Sequence, residues 1–152
     1  MVKRLYGFSL IELMVVISII AVLALVAVPF TQSWLIDTQL RDARSQLYQA
    51  HAEAKALGLR NPTNARENDV AACITFSNNT LRVQEPSGNA CSGNSIWQAS
   101  WPNGVTLRNK GAALSELRLN NRGQTLVNGT PDNTNLALSL NKGDIDDTVQ
   151  LR

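Results

Sequence analysis

The chain has 152 residues, with 14 Lys plus Arg against 12 Asp plus Glu and a formal net charge of +2. So slight a surplus gives no argument from bulk charge for a nucleic-acid binder. One His and two Cys exclude a zinc site built from several such ligands. No nucleophile–base arrangement is visible either, so the sequence does not read as an enzyme and implies no cofactor.

The first predicted element is apolar. Residues 8–30 read FSLIELMVVISIIAVLALVAVPF, with only Ser9, Glu12 and Ser18 polar. A helix of that length spans about 35 Å, enough for a bilayer core. Lys3 and Arg4 ahead of it fit a basic n-region and the positive-inside orientation. The stretch is longer than a usual signal-peptide core, and no A-x-A-like site is followed by polar residues. A plain signal anchor would account for all of this except Glu12. Its charged form at membrane depth costs on the order of 3 kcal/mol, so such an acid calls for a function and a partner.

The stretch Gly7-Phe8-Ser9-Leu10-Ile11-Glu12-Leu13 closely resembles the class III signal of type IV pilins and type II secretion pseudopilins. The resemblance implies that a prepilin peptidase cuts between Gly7 and Phe8 on the cytoplasmic side and methylates the new terminus at Phe8. It makes Glu12 the fifth residue of the mature chain, an assembly residue, and Pro29 the proline that kinks the helix near the membrane exit. Cutting there removes Lys3 and Arg4, which leaves 14 − 2 = 12 basic against 12 acidic side chains. The new amine at Phe8 is a cation and Glu12 an anion at similar depth. Pairing them between neighbouring subunits offsets both desolvation costs. A pair within one chain is the alternative geometry, because four residues make about one helical turn. The resemblance favours the pair between subunits, and the spacing alone leaves the choice open.

Past Pro29 the helical pattern continues. Ile36, Leu40, Ala43, Leu47, Ala50, Ala54 and Leu57 form a seam at steps of four and three, with Asp37, Arg41, Asp42, Arg44, Glu53 and Lys55 off it. Four small or medium residues in the seam favour packing on a sheet over a coiled coil. Gly58 and Pro62 supply a stop, and His51, beside the seam, reads as a surface residue. One helix over roughly residues 8–59 is expected.

Beyond Pro62 the period changes to two. Strands are predicted at 70–76, 80–84, 95–100, 105–108, 114–119, 125–127, 136–140 and 148–151. Turn-rich pieces such as Ser77-Asn78-Asn79, Pro86-Ser87-Gly88-Asn89 and Pro102-Asn103-Gly104 separate them. The expected fold class is therefore α+β: a pilin-like lollipop with a long N-terminal helix, half transmembrane and half amphipathic, packed on an antiparallel β-sheet domain. The divisions are a leader at 1–7, a transmembrane and assembly helix at 8–30, a stem helix at 31–60, and a periplasmic β-rich domain at 61–152.

Cys73 and Cys91 lie in that exported domain, where an even count suggests one disulfide, worth roughly 3 kcal/mol by loop closure. Two buried free thiols are the alternative.

Later positions resemble, more loosely, the minor pilin FimT/FimU and pseudopilin GspH group: Cys73 on a strand soon after the stem, Trp97 and Trp101, and the run 117–119, Gly123, 136–140. The mid-chain cysteine pair, with a long tail after it, argues against a major pilin. Some minor pilins of this group bind DNA. Here the late bases Arg108, Lys110, Arg118, Arg122, Lys142 and Arg152 are scattered, and Asp144, Asp146 and Asp147 make the end acidic, which disfavours phosphate. The same three acids could hold Ca²⁺, but a Gly143-led soluble loop is the plainer reading. Asn78-Asn79-Thr80 and Asn128-Gly129-Thr130 match a glycosylation acceptor and read more simply as turns. Trp97 and Trp101 read as sheet packing rather than an exposed stacking patch. The expected product is a minor type IV pilin precursor that helps prime pilus assembly at the tip. Its partners would be other minor and major pilins, the prepilin peptidase and the bacterial inner membrane. The alternatives are a minor pseudopilin of type II secretion and a DNA-binding uptake pilin.

Overall fold

Among the described residues seven with left-handed backbone and no glycine freedom mark where this chain turns, and five of them are asparagines: Asn61, Asn64, Asn78, Asn79 and Asn128. Asn tolerates that region better than other non-glycine residues, so the turn positions were chemically marked. In the computed structural model, residues 7–132 and 136–151 are described, with backbone alone for 26–31. The chain divides into two compact units, Met1–Ile36 and Asp37–Arg152.

Helix α1 runs from Leu10 to Arg60, so its C-terminal part belongs to the second unit. Along it, Leu40, Ala43, Leu47, Ala50, Ala54 and Leu57 are buried, and Ile36 is half-buried. The small residues matter because they let the sheets approach. At Gly58 an added Cβ would lie 2.8 Å from the Asn120 carbonyl oxygen. The expected stop at Gly58 is therefore corrected: Gly58 lies inside the helix as a contact position. The left-handed C-terminal residue is Asn61 (φ 47°), whose N–H donates to the Leu57 carbonyl at 3.0 Å. The Asn61 side chain then clamps the next turn through Ala65, donating to its carbonyl and accepting its N–H at 2.9 and 2.7 Å.

His51 corrects a second expectation. It is buried, with 7% of its surface exposed, one position past Ala50 on the face where the alanines draw the domain close.

Among the described residues ten strands follow: β1 Ala72–Ser77, β2 Thr80–Gln84, β3 Ser95–Ser100, β4 Thr106–Asn109, β5 Ala112–Ala113, β6 Glu116–Leu119, β7 Thr125–Val127, β8 Thr130–Pro131, β9 Leu136–Lys142 and β10 Ile145–Leu151. They make two antiparallel sheets, ordered β3-β2-β1-β6-β7-β8 and β10-β9-β4-β5. The eight predicted strands all have counterparts. The two-residue strands β5 and β8 were too short to carry a pattern. β10 also begins earlier than expected, so Asp146 and Asp147, read as loop, lie in a strand at a sheet edge. Edge positions that face water accept carboxylates.

On one face of the larger sheet Ile74, Leu81, Val83, Leu117 and Leu119 are fully or nearly fully buried, as alternation requires. Arg44 of α1 pairs with Asp147 of β10 at 3.3 Å, and its guanidinium lies 5.9 Å from the Tyr48 ring centre. Trp101 is buried with 8% exposed, meets Phe76 edge-on at 5.3 Å, and donates its indole N–H to the Val105 carbonyl at 2.8 Å.

The opposite face of the larger sheet has a small core of its own. Cys73 and Cys91 form a disulfide, and Val70 and Leu126 pack around it. The segment between Glu85 and Asn94 crosses this face, tied by Glu85 N–H to the Asn94 carbonyl and Gly93 N–H to the Glu85 carbonyl, both at 3.0 Å.

Candidate processing and assembly site

Residues 7–9 have no regular structure, and α1 begins at Leu10. The boundary is set by Ser9. Its Oγ accepts the Glu12 N–H at 3.2 Å, and its carbonyl accepts the Leu13 N–H at 3.2 Å, the first helical bond. Ser9 is thus the N-cap and Glu12 the third helical residue, the S-x-x-E pattern of a capping box. This role is written in the sequence as the four consecutive residues Ser9-Leu10-Ile11-Glu12.

The cap leaves Gly7 and Phe8 in open backbone. Among the described residues nothing lies within 4 Å of where a Gly7 Cβ would be, and Phe8 is 82% exposed. The peptide bond between these two residues lies just ahead of the start of the helix. The Glu12 side chain is exposed in the first turn, where the unsatisfied N–H groups favour an anion.

Further along, the helix is apolar on every side. Leu10, Ile11, Leu13, Met14, Ile17, Ile20, Val22 and Leu25 are all exposed. Ser18 returns its hydroxyl to the Met14 carbonyl at 2.7 Å, which satisfies its one donor without water.

Among the described residues, no helix is long and apolar enough to cross a membrane. The described apolar side chains, 10–25, rise about 24 Å, less than a hydrocarbon core of about 30 Å. Those of 26–31, Pro29 included, lie outside the described residues, as do Lys3 and Arg4.

Residues 3–28 match the prokaryotic N-terminal methylation motif. The chain carries a type IV pilin signal. That signal contains Gly7, Phe8, Ser9 and Glu12, so the cap and the open backbone ahead of it lie within the matched motif, and the match is consistent with a type IV pilin family member. No curated protein and no solved structure matches the chain.

Elsewhere the groups singled out in the sequence are dispersed. Arg118 pairs with Glu116 on its own strand, and Lys142 bonds the Gln39 side chain and the Asn103 carbonyl. Asp147 is held by Arg44, and Asp146 accepts from the Asn141 amide. Among the described residues no three His, Cys, Asp or Glu side chains gather as metal ligands. Asn78–Asn79 and Asn128–Gly129 are the two-residue turns of hairpins β1–β2 and β7–β8. Arg152 lies outside the described residues.

Proposed function

We propose that this chain is a minor type IV pilin precursor, a structural subunit that helps prime pilus assembly at the tip. The observation that carries the reading is the methylation motif at residues 3–28, seated on the first turns of a 51-residue helix. In this reading the prepilin peptidase cuts between Gly7 and Phe8 and methylates Phe8. Residues 8–30 anchor the precursor in the inner membrane, with the β-rich part in the periplasm, until the subunit moves into the pilus. Pro29 kinks the helix where it leaves the bilayer.

Glu12 then has a neighbour to meet. The new amine at Phe8 sits one residue ahead of the cap, and a subunit packed alongside in an apolar filament core would place its own amine near this carboxylate. Glu12→Ala is expected to be cleaved normally but to enter pili poorly. Unchanged incorporation would end the pairing argument.

Two other readings stay in play: a minor pseudopilin of type II secretion, and a DNA-binding uptake pilin. Deleting the gene separates the first. Loss of surface pili and twitching supports the pilin reading, whereas normal pili with lost protein secretion overturns it. A gel shift of duplex DNA by the full chain in detergent at moderate salt would favour uptake.

A further inference from the structure

Four strands end the two sheets: β3 and β8 in one, β10 and β5 in the other. Natural proteins guard such edges with shortness, proline or charge, because an open row of N–H and C=O groups recruits another strand. β5 and β8 are two residues long, and β8 ends in Pro131. β10 carries Asp146 and Asp147, the latter paired with Arg44. β3 reads SIWQAS, with neither charge nor proline. The neutrality extends well past the strand: residues 86–107, between Glu85 and Arg108, hold no charged side chain.

The open part of this edge can be delimited. The register with β2 slips between Val83 and Gln84, which leaves Ile96 as a bulge, 48% exposed. At the other end Pro102 has no N–H to offer. Between these guards lie residues 97–101, centred on Ala99. Trp101 N–H donates to the Asn79 carbonyl at 2.6 Å, and the register continues through Thr80↔Ser100, Leu81↔Ala99 and Val83↔Trp97. Backbone groups alternate in an antiparallel pair, so positions 97, 99 and 101 turn toward β2, while Gln98 and Ser100 turn outward. Among the described residues β3 pairs with β2 alone.

We propose that this edge pairs antiparallel with the β3 edge of a second copy of the chain, with Ala99 on the two-fold axis. Self-pairing is the match this surface suits, because a strand that meets its own copy brings like residues close, and none of these carries charge. The guards centre the register on Ala99. Gln98 of each copy then faces Ser100 of the other and exchanges both backbone hydrogen bonds. Ala99 falls at the closer, non-hydrogen-bonded position, where Cα atoms approach to about 4.5 Å. Trp97 lies opposite Trp101. The two six-stranded sheets become one. This inference does not depend on the pilin reading.

Hydrogen exchange on the full-length protein in detergent micelles tests it, with the protein-to-detergent ratio raised in steps. The Gln98 and Ser100 amides are expected to slow about tenfold across the series as the copies pair. In Gln98→Pro, Ser100 should return to its unprotected rate while Leu81 and Val83 stay protected, since position 98 donates nothing to β2. Gln98→Lys gives the same readout should the proline variant not fold. Three results overturn the proposal. The two amides exchange freely at every ratio; they are slow at every ratio, so that the single chain covers the edge; or the ratio-dependent slowing of the Ser100 amide survives in both variants.

Discussion

Ser9 Oγ accepts the backbone N–H of Glu12 at 3.2 Å, and this contact divides open backbone from helix one residue after Phe8. Because the donor is the amide and not the carboxyl, the cap and the charge of Glu12 are separable. Ser9→Ala is expected to cost about 1 kcal/mol at the helix start and to speed exchange of the Glu12 and Leu13 amides severalfold in micelles. Glu12→Gln should leave those rates close to wild type. If it frays the first turn as much as Ser9→Ala does, the division of roles is wrong.

Leu47 is fully buried where α1 meets the β-rich part of its unit. Leu47→Ala is expected to destabilise by about 2–5 kcal/mol, seen as a lower urea midpoint with an unchanged slope. Ala50, also fully buried, tests the close approach from the other side. Ala50→Leu should cost about 1–3 kcal/mol by overpacking, while Ala52→Leu, on the exposed face, should be near neutral.

Burial first, and Lys55 second, pushes the His51 imidazole down to about 4 from its ordinary 6.5. The folded chain therefore keeps His51 neutral at pH values where the unfolded chain protonates it. The stability this confers is intact above pH 6.5 and is lost as pH falls toward 4. Allowing for the part of the ring that still reaches water, the loss is on the order of 2 kcal/mol. Urea titrations at pH 7 and pH 4.5 should show it, and His51→Gln should flatten the difference. An equal slope with pH in that variant would assign the effect to other groups.

The Cys73–Cys91 bridge closes a sequence separation of 18 and anchors the segment that crosses the outer face of the larger sheet. Reduction is expected to cost roughly 3 kcal/mol. Gly93→Ala should damage the same segment with the bridge intact, because the new Cβ would fall 2.3 Å from the Glu85 carbonyl oxygen. Thiol titration after denaturation, with midpoints for both forms, checks the pair. Equal midpoints for oxidised and reduced protein would mean that the bridge decorates a fold already closed.

What the sequence determined by itself was whatever is written in consecutive or regularly spaced residues. The methylation motif matched at residues 3–28 is such a feature, since it is a linear run of residues, and so is the Leu40–Ala43–Leu47–Ala50–Ala54–Leu57 seam, since a helix repeats every 3.6 residues. Long strands showed through their alternation and hairpins through Asn-Asn and Asn-Gly. Only tertiary structure decided the rest. His51 and Gly58 go inside because alanines beside them admit the domain to close range, a distance that no local pattern encodes. Two-residue strands such as β5 and β8 exist only because a partner is there to bond them. The exposed edge of β3 likewise follows from which strands lie beside it, and strand order is settled by packing across the whole domain.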